Sequence, residues 1–139
     1  MNLHRMLAAR AEENRPIRVG LVGSGKFGTM YLAQARTTLG VHVVGIADIE
    51  LERVRSSLEA TGWDSTQCYA QSLDHAINKG TTFVTDDAEQ LIDSPELDVV
   101  IEATGVPRTG ISHCRRAIAA GHHVVMATVE ADAVAGPFL

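Results

Sequence analysis

The run Gly23-Ser24-Gly25-Lys26-Phe27-Gly28, and the place where it falls, constrains this chain more than any other feature. It directly follows the apolar, β-branched stretch IRVGLV at residues 17–22, whose only charge is Arg18 near the start. A short apolar run without inside/outside alternation reads as a strand buried on both faces. After the glycines, Phe27, Met30, Tyr31 and Ala35 share one helical face across residues 26–38, and Gly40 is placed to stop that helix. A strand, a glycine turn and a helix in immediate succession need a sheet covered by helices.

The remainder of the chain repeats this alternation. VHVVGIA (residues 41–47) reads as a second buried strand ending at Asp48, followed by a helix marked by Leu51, Val54 and Leu58 and closed by Gly62. Residues 63–80 are less regular, with one helix expected over 72–78. Phe83 and Val84 mark a short third strand, and Asp86 or Asp87 caps a helix that runs to about Ile92, ahead of Pro95. A fourth strand is expected over 99–103, a helix over 109–120 with Gly121 as its stop, and a fifth strand over 123–127. The tail from Thr128 begins another element. This pattern predicts the α/β class, a single doubly wound parallel sheet of order 3-2-1-4-5, the Rossmann arrangement.

Ahead of it, Leu3, Met6, Leu7 and Arg10 stand at helical spacing and stop before Pro16. Residues 1–15 are therefore read as a helical extension and residues 16–139 as the domain proper. The extension packs on the domain edge or is partly disordered, with a homo-oligomer contact as the functional alternative.

Composition narrows the function classes. At 139 residues the chain is one domain's worth and needs no disulfide or metal staple. A net charge of −5 gives no global electrostatic reason to bind nucleic acid or an anionic membrane. No apolar run approaches the roughly 18 residues of a membrane span. His4, Arg5, Arg10, Glu12 and Glu13 break up any signal-peptide core. Cys68 and Cys114 fit neither a metal knuckle nor a redox pair, and are expected to be reduced thiols in a cytoplasmic protein.

The glycine loop carries the chemistry. Gly23 permits the tight turn, Gly25 leaves the backbone open to a diphosphate, and Gly28 lets the helix approach the strand. The start of the helix offers unpaired N–H groups and partial positive charge. Asp48, twenty residues after Gly28, ends the second strand where it can accept hydrogen bonds from an adenosine ribose. The expected cofactor is NAD or NADP, with Gly23, Ser24, Gly25, Lys26, Phe27, Gly28 and Asp48 as its binding residues. The carboxylate of Asp48 repels a 2′-phosphate and so leans to NAD. Arg53 could swing back toward a phosphate, although its blander place is a solvated helix face.

Two further patches end on the same sheet edge. Thr104 and Gly105 follow the fourth strand at the point where strand order reverses, and would line the path toward the nicotinamide. Glu102 lies inside that strand, where a carboxylate is costly unless it is paired. Glu130 and Asp132 follow the fifth strand and suit a substrate hydroxyl or a divalent ion, or simply the helix dipole. His113, His122 and His123 show no metal spacing and are read as structural. Arg108, Arg115 and Arg116 are read as a solvated helix face. A non-catalytic NAD(H)-sensing module and a methyltransferase core using S-adenosylmethionine are the alternatives, and the glycine spacing fits the methyltransferase less well.

The segments IRVGLVGSGKFG, VGIADIELERV, DDAEQLIDSPELDVVIEATG and HHVVMATVEAD resemble the amino-terminal domain of the homoserine dehydrogenase-like oxidoreductases. Within these the chain is most similar to the 1-deoxy-D-xylulose 5-phosphate reductoisomerase-like group, which often carries a carboxy-terminal SAF domain. It has a weaker likeness to the glucose-fructose oxidoreductase class. The resemblance implies an NAD(P)-dependent oxidoreductase acting on a small polyol- or hydroxyacid-like substrate. The substrate-holding catalytic domain would lie beyond this chain, so the isolated domain would not turn over. Homoserine dehydrogenases place an Asn-Lys pair, with a catalytic Lys, where this chain has Thr128-Val129. The resemblance leaves Glu130 as the catalytic candidate, with a divalent metal in the full-length enzyme.

Overall fold

Residues 1–139 are described by a computed structural model. Five short apolar runs pair as parallel strands: β1 (Ile17–Val22), β2 (Val41–Ala47), β3 (Phe83–Thr85), β4 (Val99–Glu102) and β5 (His123–Met126). Their order across the sheet is β3-β2-β1-β4-β5, as the alternation of elements predicts. The helices are α1 (Leu3–Glu12), α2 (Lys26–Ala35), α3 (Leu51–Ala60), α4 (Leu73–Lys79), α5 (Ala88–Ile92), α6 (Pro107–Ala119) and α7 (Val129–Ala135). A 3₁₀ turn over Gly136–Phe138 follows.

Both sheet faces are covered. Val19, Leu21, Val43, Ile46 and Ile101 meet Leu32 and Ala35 of α2 and Val54 and Leu58 of α3 on one face. Val22, Val44, Ala47 and Val100 meet Ala76, Leu91, Ile92 and Ala117 on the other. The register of β1 against β2 slips between Val19 and Gly20, which leaves Val44 as the extra residue. That slip brings Gly20 opposite Gly45. A β-carbon on Gly45 would lie 2.4 Å from Leu91, and one on Gly20 would lie 2.8 Å from Leu97. The paired glycines thus seat α5 and the turn after it against the sheet.

Several boundaries differ from expectation for local reasons. Helix α2 ends at Ala35 rather than 38 because Thr37 and Thr38 turn their hydroxyls back onto the Gln34 carbonyl. Helix α6 begins two residues early, with Pro107 in its first turn, where the missing N–H costs nothing. Strand β5, one of the two sheet edges, alternates in exposure. Asp87, rather than Asp86, caps α5 by accepting from the Gln90 amide. Helix α1 buries no side chain and rests by the Leu7 backbone against Gly40, on the domain edge. Both cysteines are free and buried. No helix is long and apolar enough to cross a membrane.

Candidate functional site

The carboxyl ends of β1, β2 and β4 open onto a cleft of about 400 Å³, at the point where strand order reverses. Val22, Gly23 and Gly25 form its floor, Ala47, Asp48, Ile49 and Arg53 its β2 side, and Ala103, Thr104, Val106, Thr109 and His113 its β4 side.

The three glycines play different parts. Gly23 has φ +98, and a β-carbon there would lie 2.5 Å from the Ala103 carbonyl oxygen. One on Gly28 would lie 2.3 Å from the Gly23 carbonyl oxygen. These two are required by the fold itself. Gly25 is different: its φ of −70 is not left-handed, and a β-carbon there meets no protein atom within 4 Å. No protein atom crowds position 25, so the glycine there leaves open space above the backbone. The amides of Gly25, Lys26, Phe27 and Gly28 donate to no protein group, as expected at the start of a helix. A bare backbone, free N–H donors and a helix amino-terminus together suit a diphosphate.

Asp48 is 7 % exposed. One carboxylate oxygen accepts from the Ser24 amide at 2.8 Å and the Ser24 hydroxyl at 2.7 Å, and the other accepts from the Glu50 amide at 2.9 Å. Burial works against its charge. The Glu50 and Ser24 donors, with the Arg53 guanidinium beside it, outweigh burial and hold the carboxyl below its usual range. Asp48 is therefore a fixed anion with lone pairs to offer. Arg53 stands 3.7 Å from it and 2.9 Å from Glu50, so its head lines the cleft.

Among the other residues expected to bind, Ser24 is buried behind the loop with its hydroxyl committed to Asp48. Its carbonyl accepts from Ser57 and Thr29, which ties the loop to α3 and α2. Lys26 and Phe27 point outward from the first turn of α2. Thr104 lines the cleft, while Gly105, at φ +73, makes the turn and donates its amide to Thr128 at 3.0 Å. Glu130 is exposed on α7 and outside the cleft lining. No group of His, Cys, Asp and Glu side chains is arranged to hold a metal.

Glu102 is fully buried at the end of β4. It accepts from the Thr104 hydroxyl at 2.6 Å, from the Thr128 hydroxyl, and from His113 Nδ1 at 3.3 Å. Burial opposes its charge, but the bonds from His113, Thr104 and Thr128 prevail and hold it below the usual carboxylate range. Sequence reasoning identified Glu102 as needing partners and missed that His113 is one. The available signal was the apolar strand itself, since a carboxylate buried there must be met by the next helix. His122, read as structural, is buried with Nε2 against the Ile92 carbonyl at 2.8 Å.

A family model described as oxidoreductase family, NAD-binding Rossmann fold (Gfo/Idh/MocA) matches residues 17–127, well over half the chain. The chain belongs to this family. No curated protein matches it. Among solved structures, this Gfo/Idh/MocA domain is similar to a homoserine dehydrogenase from Thiobacillus denitrificans, with 27% identity, TM-score 0.57, 87% of this chain and 25% of that one. It is similar in fold to biliverdin reductase from Synechocystis in complex with biliverdin and NADP+, at 21% identity and TM-score 0.58, covering 78% of this chain and 28% of that one. It also shares its fold with myo-inositol dehydrogenase from Lactobacillus casei in complex with NAD(H) and myo-inositol, at 16% identity, TM-score 0.58, and 78% and 27% coverage. The chain spans about a quarter of the length of these structures. The family is NAD-binding, which gives the domain its cofactor class.

Proposed function

We propose that this domain positions a nicotinamide dinucleotide for hydride transfer within an NAD(P)-dependent oxidoreductase whose substrate is held by a further domain. The observation that carries this reading is Gly25, which leaves uncrowded backbone facing a cleft bounded by free amides and a fixed carboxylate. In this reading the amides of Gly25, Lys26 and Phe27 hold the diphosphate, and Asp48 takes the adenosine ribose hydroxyls. Thr104 lies beside the nicotinamide half. The dinucleotide, when bound, supplies or accepts the hydride. The chain's own residues bind it, orient it and keep its charges matched.

Asp48 favours NAD, because a 2′-phosphate would approach an anion already held in place by four hydrogen-bonding and charged neighbours. Arg53 moderates that preference without reversing it. We assign the protein to the homoserine dehydrogenase-like, reductoisomerase-like branch, with a small polyol- or hydroxyacid-like substrate, on the EATG and TVEAD segments. Glu130, exposed at the same sheet edge, is then the group available to meet substrate or a substrate-bound metal. Titration with NADH and NADPH, followed by nicotinamide fluorescence, tests the reading. Saturable binding with NADH the tighter ligand supports it, and no response to either contradicts it. In a longer protein that carries the catalytic region, Glu130→Gln should reduce turnover while leaving NADH affinity unchanged.

A further inference from the structure

We propose that His113 is a ligand-binding residue on the β4 side of the cleft, whose Nε2 hydrogen-bonds the carboxamide of a bound nicotinamide. This rests on the dinucleotide reading above and extends it to a residue that no glycine or acid motif marks.

Glu102 sets the direction of every hydrogen bond around it. A charged carboxylate has no hydrogen to give, so every partner of Glu102 must donate. Thr104 and Thr128 do so through their hydroxyls, and each hydroxyl in turn accepts an amide, from Val106 at 3.3 Å and from Gly105 at 3.0 Å. The network is therefore directional throughout. His113 meets the same carboxylate through Nδ1 at 3.3 Å, so Nδ1 carries the hydrogen. Nε2 is then the ring nitrogen left to meet a ligand, as a lone pair in the neutral ring or a donor in the cation.

That Nε2 has no partner in the protein and is not sealed from solvent. The ring is 12 % exposed, and it lines the cleft next to Thr109, one turn earlier on α6. The site is also built to receive this pairing. Gly110 faces Glu102, where a β-carbon would lie 2.9 Å from Oε2. A buried carboxylate and the glycine beside it thus orient one ring that lines the cleft, and its Nε2 is the ring nitrogen left without a protein partner. Glu102 acts through His113 and is a positioning residue.

The test compares NADH with ADP-ribose, which lacks the nicotinamide, by calorimetry on the full chain. His113→Ala should weaken NADH about three- to tenfold, the scale of one hydrogen bond, and leave ADP-ribose unchanged. His113→Gln, whose amide oxygen can stand where Nε2 stands, should recover part of the loss. Glu102→Met, which removes the acceptor, should change the ¹⁵N signature of the His113 ring from the Nδ1–H form, a readout separate from ligand affinity. Equal weakening of both ligands by His113→Ala, or of neither, contradicts the role of His113 while leaving the dinucleotide reading intact. A wild-type protein that takes neither ligand contradicts both.

Discussion

Ser24 donates twice to a single oxygen of Asp48, through its amide at 2.8 Å and its hydroxyl at 2.7 Å. The glycine loop and the acid that ends β2 are thereby one rigid unit before any ligand arrives. Hydrogen bonds to a charged group are stronger than neutral ones, and preorganisation spares a ligand the cost of ordering the loop. Ser24→Ala removes the hydroxyl bond and keeps the amide bond. It should destabilise the domain by about 1–2 kcal/mol, measured by urea unfolding, and weaken NADH binding severalfold.

The preference between cofactors should follow the charge at the end of β2. Asp48→Asn combined with Ile49→Arg replaces an anion with a neutral amide and adds a cation at the exposed residue beside it. The ratio of NADPH to NADH affinity should rise by at least an order of magnitude, consistent with removing a like-charge contact and adding an opposite one. An unchanged ratio would remove Asp48 from the ribose.

Acid should weaken the fold in two stages. His42 is half-buried with Nε2 against the Thr81 carbonyl at 2.7 Å, and burial, aided by Arg18, holds its proton affinity below the ordinary value. The unfolded chain then binds the proton more readily, so stability falls as pH drops below about 6.5. Asp48 and Glu102 are also lowered, so their stabilisation is complete above the ordinary carboxylate value of about 4 and is lost as pH falls through their lower folded values. Chemical denaturation across pH should show both stages. His42→Gln should flatten the upper one, and Glu102→Gln should reduce the lower one.

Packing beneath the site is equally specific. Gly45→Ala should cost about 1–3 kcal/mol, since the added carbon meets Leu91 at 2.4 Å. Gly45→Ala with Leu91→Val should recover part of that loss in thermal melts.

The strand order, the glycine turn and the acid at Asp48 were legible because each rests on local pattern: an apolar run, a backbone need for glycine, and a fixed interval to the next strand end. The tilt of α5 onto Gly20 and Gly45 was not legible, because it depends on a register slip between two strands that only pairing reveals. The bond from the Ser24 hydroxyl to Asp48 was not legible for a related reason, since it joins residues from two different strand ends. His113 was hidden because its partner, eleven residues earlier, is brought to it only by the turn at Gly105 and the start of α6 at Pro107.

The most direct test of the account is NADH titration of Gly25→Val beside the wild-type protein, with melting temperature measured for both. A β-carbon at position 25 meets no protein atom, and valine is a poorer helix N-cap than glycine, so the melting temperature should fall by no more than several degrees while NADH affinity falls at least tenfold. Undiminished NADH binding by a well-folded Gly25→Val protein would contradict the claim that this glycine keeps the backbone clear for a diphosphate.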